Sequence, residues 1–143
     1  MIDGNFNNPS ISKSIQPKVY VEDYFRNSAY IERDNNSIGV LGNRGGDVTL
    51  LEINDEQHIQ NELNDLKLGY DIIIIDLPPL DSLNMSKEWI LFTNKTISVF
   101  EADKSISRSQ GQYIDYLKLL NNKFAGWVLN KAAINTHSKK AKS

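Results

Sequence analysis

The segment from Tyr70 to Pro79 constrains the fold of this chain more than any other. It contains four consecutive isoleucines, then Asp76, and it ends in two prolines. Consecutive β-branched apolar residues without polar alternation are typical of a strand in a parallel sheet that is covered on both faces. Proline cannot continue a central strand, so the pattern predicts Asp76 at the C-terminal edge of the sheet, where open α/β sheets bind ligands.

A carboxylate at that edge can hold a metal ion through a water, orient a phosphate or accept a phosphoryl group. It can equally cap or solvate the end of the strand. Nothing in the segment itself distinguishes these uses of Asp76, so they depend on which residues lie beside it.

Strand and helix patterns alternate along the rest of the chain. The patterns predict strands over residues 37–41, 96–100 and 124–129, and helices over residues 21–27, from 54 or 55 to 69, over 85–92, and from 105 or 107 onward. This order predicts a single α/β domain over residues 1–135, with a mostly parallel sheet and helices on both faces. Residues 136–143 are polar and basic and are predicted to be a disordered tail.

Composition excludes several classes of function. The 143 residues, 40% of them hydrophobic, suffice for one packed domain, and the formal net charge of −2 gives no indication of a nucleic-acid partner. The sequence has no cysteine, which excludes disulfides, thiolate metal sites and cysteine nucleophiles. No apolar run approaches the roughly 20 residues that span a bilayer, and no signal-peptide pattern is present, so we expect a soluble chain.

The glycine-rich segment 42–46 is the one candidate phosphate loop. Its glycines would let backbone N–H groups approach an anion, but it lacks the Gly-Lys-Ser/Thr ending of a Walker A loop, and an ordinary turn is the favoured interpretation. His58 and His137 are far apart in the sequence and form no cluster of the kind that binds a transition metal.

Five segments carry motifs in a consistent order. They are an Asp-Gly-Asn segment that reaches Pro9, Val-Glu-Asp-Tyr-Phe at 21–25, a short apolar strand with a glycine at 38–42, the segment 70–79, and Gly-Trp-Val-Leu-Asn-Lys at 126–131. Together they resemble the cytoplasmic ATPase domain of bacterial tyrosine kinases (BY-kinases) and the related polysaccharide chain-length regulators. That family belongs to the deviant-Walker group of P-loop NTPase-like folds, of the MinD/ParA type.

The resemblance implies roles for three residues. Asp76 corresponds to the Walker B acid, which holds a Mg²⁺-bound water, and Asp3 to the remaining acid of the Walker A′ segment, near the attacking group. Asn130 corresponds to the asparagine that contacts the adenine base through its amide. All three are then expected at the C-terminal ends of adjacent strands, and the cofactors of the family are ATP and Mg²⁺.

Departures from the family pattern weaken the implied chemistry. The Walker A loop and its lysine are missing, so the resemblance implies a fold truncated at the N-terminus. Asn5 and Asn7 stand where a second Asp and an Arg are usual, and an amide lacks the charge that orients Mg²⁺-bound water. No tyrosine follows Tyr116, whereas the family carries a tyrosine cluster in its tail.

The function that follows from the resemblance is a degenerate or truncated domain with no cofactor of its own. It would regulate or assemble exopolysaccharide or capsule export by contacting itself or polysaccharide-assembly components. The implied location is the cytoplasmic side of the bacterial inner membrane, with the membrane reached only through an anchor in a parent protein.

Three alternatives stay open at this point. The chain could be half of a functional ATPase or tyrosine kinase whose Walker A loop lies upstream. It could be a phosphoacceptor receiver-like domain, with Asp76 as the acceptor and Lys131 at the end of the last strand. It could also be a nucleotide-independent interaction domain unrelated to either class.

Overall fold

The chain forms two compact units, Met1–Thr93 and Asn94–Ser143, in a computed structural model that describes residues 1–29, 31, 38–79 and 82–132. The single domain expected over residues 1–135 stays a prediction. The predicted tail at 136–143 and the first residue of the predicted strand 37–41 lie outside the described residues. No helix in the described ranges is long and apolar enough to cross a membrane.

The first unit contains a four-stranded sheet in which every pair is parallel. The strands are β1 (Ile2–Asp3), β2 (Val19–Tyr20), β3 (Leu41–Gly42) and β4 (Ile75–Asp76), and their spatial order is β2-β3-β1-β4. Within the described residues, four helices lie between these strands in sequence, α1 (Ser10–Ile15), α2 (Val21–Asn27), α3 (Leu50–Ile53) and α4 (Glu56–Lys67), and a fifth, α5 (Leu83–Phe92), follows β4. The predicted α/β class with a parallel sheet is therefore confirmed.

Local sequence signals place the longer helices correctly. Asp55 caps α4 by accepting a hydrogen bond from the backbone N–H of His58 at 2.8 Å, as its position before the helix predicts. The apolar residues of α4 recur at helical spacing and are buried, because this stripe faces the core. The helices α1 and α3 are not predicted from the sequence, since both are too short to show periodicity.

Aromatic side chains form the centre of the core of the first unit. Trp89 is 1% exposed, and its ring lies 6.4 Å from that of Phe6 and 6.0 Å from that of Phe25, measured between centroids. These three residues come from α5, from the loop after β1 and from α2, so the cluster joins elements distant in sequence. Burying rings of this size contributes a large share of the hydrophobic stabilisation.

The expected burial of the segment 70–79 on both faces is wrong. Ile73 and Ile75 pack against the core, but Ile72 and Ile74 are 77% and 61% exposed. The reason is that successive side chains of a strand point to opposite faces of the sheet, and the core packs against only one of these faces at β4. The strand is also shorter than the apolar run: only Ile75, the last of the four isoleucines, and Asp76 are in register with β1.

In the described part of the second unit, residues 94–132, two strands pair in parallel and one α-helix lies between them in sequence. β5 (Thr96–Glu101) and β6 (Phe124–Asn130) pair in parallel, and α6 (Arg108–Leu119) lies between them in sequence. A reciprocal capping box begins α6: the N–H of Gln110 donates to the Ser107 hydroxyl at 3.2 Å, and the N–H of Ser107 donates to the Gln110 side chain at 3.0 Å. Of the two predicted starts, Ser105 and Ser107, the structure has Ser107.

Candidate functional site

Asp3 and Asp76 lie next to each other at the C-terminal ends of two parallel strands. Their Cα atoms are in register across β1 and β4, and the N–H of Gly4 donates to the carbonyl oxygen of Asp76 at 2.8 Å. Residues in register on neighbouring parallel strands present their side chains to the same face of the sheet. The structure therefore brings together two of the three predicted site residues.

The carboxylate of Asp3 is fully buried and its acceptor positions are in use. Its Oδ2 accepts hydrogen bonds from the backbone N–H of Ser12 at 2.9 Å and from the Ser12 hydroxyl at 2.7 Å, and its Oδ1 accepts from the N–H of Asn5 at 3.3 Å. Hydrogen bonds to an ionised acceptor are stronger than neutral ones. Asp3 thus fastens α1 to the end of β1, which explains a helix that the local sequence did not predict.

The carboxylate of Asp76 is in the opposite situation. It is half-buried, and within the described residues no group donates a hydrogen bond to it. Burial raises the pKa of Asp76, and the negative charge of Asp3 raises it further. Binding of a cation or a proton would therefore stabilise the Asp76 carboxylate.

The two carboxylates do not form a metal site on their own. In the described part of the chain, no group of three or more His, Cys, Asp or Glu side chains is placed to hold a metal ion. Mg²⁺ commonly uses one or two carboxylates and completes its shell with water and substrate phosphates. Asp76 is the residue of this pair that could take part in such a shell, because the oxygens of Asp3 are engaged.

The glycine-rich segment 42–46 is a turn whose backbone donors are occupied. The N–H of Asn43 donates to Ser12 Oγ at 2.8 Å, that of Arg44 to Glu22 Oε1 at 2.9 Å, that of Gly45 to Asn43 Oδ1 at 2.9 Å, and that of Gly46 to Phe6 O at 3.1 Å. A phosphate cradle needs such N–H groups to point at the anion. Four consecutive donors are engaged within the protein, which supports the turn interpretation.

Asn43 is a site residue that sequence reasoning missed. It is 2% exposed, and its side-chain Nδ2 donates to the carbonyl oxygen of Asp3 at 2.8 Å. The same side chain accepts from Gly45, so Asn43 connects the turn to the end of β1. The one signal in the sequence is a short polar side chain directly after a strand and a glycine, a placement that is also common in plain turns.

Arg44 fixes the outer side of this turn to α2. Its guanidinium donates to both carboxylate oxygens of Asp23 and lies 4.3 Å from the centroid of the Tyr20 ring. The hydrogen bond from Arg44 lowers the pKa of Asp23 below its usual range. A bidentate pair combined with ring stacking uses the planar shape of arginine as well as its charge.

Asn130, the third predicted residue, ends β6 in the second unit. Its Oδ1 accepts a hydrogen bond from the N–H of Lys131 at 2.8 Å, and its carbonyl oxygen accepts from the N–H of Ala102 at 2.8 Å. The side chain is exposed, and Lys131 Nζ donates to Glu101 Oε1 at 3.0 Å. Because Asn130 belongs to the other unit, its expected position beside Asp3 and Asp76 stays a prediction.

The second unit also contains an open cleft of about 520 Å³ between the ends of its strands and α6. Its lining includes the apolar side chains of Phe100, Ile106 and Trp127 as well as Lys104 and Lys118. Its volume is in the range of small-molecule sites. No catalytic pair of side chains within the described residues of the cleft suggests a reaction there.

Comparisons with protein-family models, with curated proteins and with solved structures find no match to this chain.

Proposed function

We propose that this chain is a P-loop-like domain of the deviant-Walker group that is catalytically silent and acts through protein contacts in exopolysaccharide or capsule assembly. The observation that supports this proposal is the in-register pair of Asp3 and Asp76 at the C-terminal ends of parallel strands. This is the placement that the resemblance to BY-kinases requires of its two acids. The corresponding location is the cytoplasmic side of the bacterial inner membrane.

The surroundings of Asp3 and Asp76 support the proposal that the domain is catalytically inactive. The sequence contains no Gly-Lys-Ser or Gly-Lys-Thr, and the N–H groups of its one glycine-rich turn are engaged. Phosphoryl transfer depends on a lysine and backbone donors that cradle the phosphates and on acids that hold Mg²⁺. Of these parts, this chain supplies the free carboxylate of Asp76.

Asn5 supports the same conclusion. It stands where the family carries a second acid, and its Oδ1 accepts a hydrogen bond from the N–H of Asn8 at 3.2 Å. Asn5 is 8% exposed, so its amide stabilises the loop that follows β1 and does not face solvent. An amide at this position binds Mg²⁺ less well than a carboxylate.

Calorimetry with Mg-ATP and an assay of phosphate release test whether the domain lacks ATP binding and hydrolysis. We expect no saturable heat and no phosphate release above the buffer blank, either for the natural chain or for Asp76→Asn. Asp47→Asn is the matched control, because Asp47 is an exposed acid of the same unit. Micromolar binding with hydrolysis that disappears only in Asp76→Asn would contradict the proposal and favour a functional ATPase half.

The role in polysaccharide assembly is tested in cells of the source organism. Removal of the coding segment is expected to change the amount or chain length of the surface polysaccharide, measured by gel electrophoresis of the extracted polymer. Complementation with the natural chain and with Asp76→Asn should restore it equally, because protein contacts and not catalysis are proposed. An unchanged polysaccharide after removal would refute the assignment.

A receiver-like function is the alternative, and the free carboxylate of Asp76 at a strand end is the observation that favours it. Two contacts oppose it: Asp3 is engaged with Ser12, and Lys131 donates to Glu101. A phosphoryl group brings negative charge to the acceptor, and a receiver offsets this charge with Mg²⁺. Holding Mg²⁺ there requires a further acid beside the acceptor. We expect beryllofluoride with Mg²⁺ to leave the NMR resonances of Asp76 and its neighbours unchanged; a saturable shift would support the receiver.

A further inference from the structure

His58 and Glu62 lie one turn apart on α4, and their side chains approach each other. Residues four positions apart are neighbours on one face of a helix. His58 Nε2 lies 3.7 Å from Glu62 Oε1, and the two side chains are 36% and 12% exposed. Both residues belong to the first unit, and so do the groups that surround this contact in the paragraphs below.

The Nε2 atom of His58 is shielded from solvent and, in the described part of the chain, has no hydrogen-bond partner. Most buried polar atoms in folded proteins are paired, and an unpaired one calls for an explanation such as a bound water or ion. An imidazole nitrogen is the commonest metal ligand among side-chain atoms. Its nearest ionisable neighbour here is a carboxylate, the other ligand type that accompanies histidine in zinc sites.

The separation of 3.7 Å suits an ion shared by the two atoms. It is too long for a hydrogen bond between them. In zinc sites a histidine nitrogen and a carboxylate oxygen each lie about 2.1 Å from the ion, so they are about 3.4 Å apart at the tetrahedral angle and slightly further at a wider one. Paired ligands one helical turn apart also hold zinc in the His-Glu-x-x-His motif.

Contacts from α2 hold Glu62 in position. Ser28, the C-cap of α2, donates from its hydroxyl to Glu62 Oε1 at 2.6 Å, and the Tyr24 hydroxyl donates to the carbonyl oxygen of Glu62 at 3.1 Å. Carboxylates that bind a metal are themselves hydrogen-bonded, and these outer partners orient them. Glu62 is therefore oriented before any ion binds.

We propose that His58 Nε2 and the Glu62 carboxylate bind a zinc ion whose other coordination positions are taken by water. The described residues place no group of three metal-binding side chains, so the site is open and the ion exchangeable. One nitrogen and one carboxylate favour Zn²⁺ over Mg²⁺, which prefers oxygen ligands. The site is separate from Asp3 and Asp76, and it does not rest on the proposed role in polysaccharide assembly.

Zinc chloride is the probe, titrated by calorimetry into the untagged full chain in a buffer that does not bind zinc. We expect a single saturable site with a Kd of about 100 μM or tighter. His58→Gln and Glu62→Gln should each weaken the affinity about tenfold or more, because each removes a ligand. His137→Gln removes the other histidine of the sequence and is the matched control, which should leave the Kd unchanged.

NMR of the imidazole nitrogens identifies the atom that binds. Zinc should shift the Nε2 resonance of His58 saturably, with the Kd found by calorimetry, and should shift that of Nδ1 less. Ser28→Ala should weaken binding less than the loss of a ligand does, because Ser28 only orients Glu62. Mg²⁺ at about 5 mM and Asp76→Asn should each leave the zinc affinity unchanged, which separates this site from the acids of the sheet.

Three results would overturn the proposal. The first is the absence of saturable binding up to about 1 mM zinc. The second is an unchanged affinity in both His58→Gln and Glu62→Gln, since the ion would then bind elsewhere. The third is a loss of binding in His137→Gln. If Glu62→Gln loses its circular dichroism signal, the affinity of His58→Gln and the Nε2 shift in the natural chain give the answer.

Discussion

Asp3 and Asp76 occupy one register position on adjacent parallel strands, yet only Asp3 has hydrogen-bond donors for its carboxylate. The pair therefore divides into a structural acid and an available one. Asp3 holds α1 against β1, and its negative charge raises the pKa of its neighbour. Substitutions of Asp76 and of Asp3 are therefore expected to have opposite effects on stability.

Replacing Asp76 with Asn should stabilise the protein at neutral pH. The folded-state pKa of Asp76 is raised above the ordinary value of 3.8, so between these two values the folded state binds more protons than the unfolded state. Stability therefore falls as pH rises through this window, and ionised Asp76 disfavours the fold above it. We expect a higher thermal midpoint for Asp76→Asn at about pH 7, and a difference that narrows as the pH falls to about 4.

The control for this prediction is Asp47→Asn, which should not change the pH dependence, since Asp47 is exposed. A loss of stability in Asp76→Asn at neutral pH would mean that the carboxylate makes a favourable contact.

Replacing Asp3 with Ala should destabilise the first unit strongly. Three hydrogen-bond donors, from Ser12 and Asn5, would lose a charged acceptor in a buried position. We expect a cost of about 3 to 5 kcal/mol in urea unfolding, against less than about 0.5 kcal/mol for Asp47→Ala. A cost near that of the control would show that Asp3 is not the anchor of α1.

Ser12→Ala tests the same anchor with a milder change. The Ser12 hydroxyl donates to Asp3 and accepts from the N–H of Asn43, so its removal leaves two buried groups with one partner fewer. The expected cost is about 1 to 3 kcal/mol. This variant keeps the test informative if Asp3→Ala does not fold.

The two tryptophans should report on different environments. Trp89 is 1% exposed in the core of the first unit, whereas Trp127 is 44% exposed in the second. In Trp127→Phe the remaining tryptophan should emit at shorter wavelength and resist quenching by acrylamide. In Trp89→Phe the remaining tryptophan should be quenched readily; equal quenching in the two variants would contradict the packing of Trp89.

Arg44→Lys should return the pKa of Asp23 towards its ordinary value. The hydrogen bond from Arg44 is the largest cause of the lowered pKa, and lysine cannot reproduce its two-point contact or its stacking on Tyr20. NMR titration of the Asp23 carboxyl carbon measures the shift, and Arg26→Lys is the control because Arg26 acts on Asp23 only through its charge. An unchanged pKa in Arg44→Lys would show that charge alone sets it.

The contribution of this pair to stability has a defined pH dependence. The folded-state pKa of Asp23 is depressed, so its stabilisation is present above the ordinary pKa of 3.8 and is lost as the pH falls through the folded value. The pair is solvent-exposed, and we expect Arg44→Lys to cost no more than about 1 kcal/mol at neutral pH.

Several features of the fold could be predicted because their causes are local. The starts of α4 and α6 depend on Asp55 and Ser107, whose side chains bond to backbone groups only three residues away. The parallel sheet follows from the alternation of strand and helix patterns. The placement of Asp76 at a strand end follows from Pro78 and Pro79, which come soon after it in the sequence and cannot continue a central strand.

Other features depend on contacts between distant segments. The helix α1 forms where Ser12 meets Asp3, and the turn at 42–46 is held by Asn43, which is 40 residues from Asp3 in the sequence. No window of neighbouring residues contains both partners of such a contact. The sequence therefore predicted the turn at 42–46 from its glycines, but it gave no indication of α1 or of the contact between Asn43 and Asp3.

For the segment from Tyr70 to Pro79, the sequence predicted the position in the sheet but not which side chains are buried. Its apolar, β-branched run determined that it forms part of a parallel sheet and that Asp76 lies at its C-terminal end. Whether its isoleucines are covered was decided by the tertiary structure, because burial depends on which strands and helices lie beside a residue. Successive side chains of a strand point to opposite faces, and the core of the first unit covers only one of them, so Ile73 and Ile75 pack against the core while Ile72 and Ile74 are exposed.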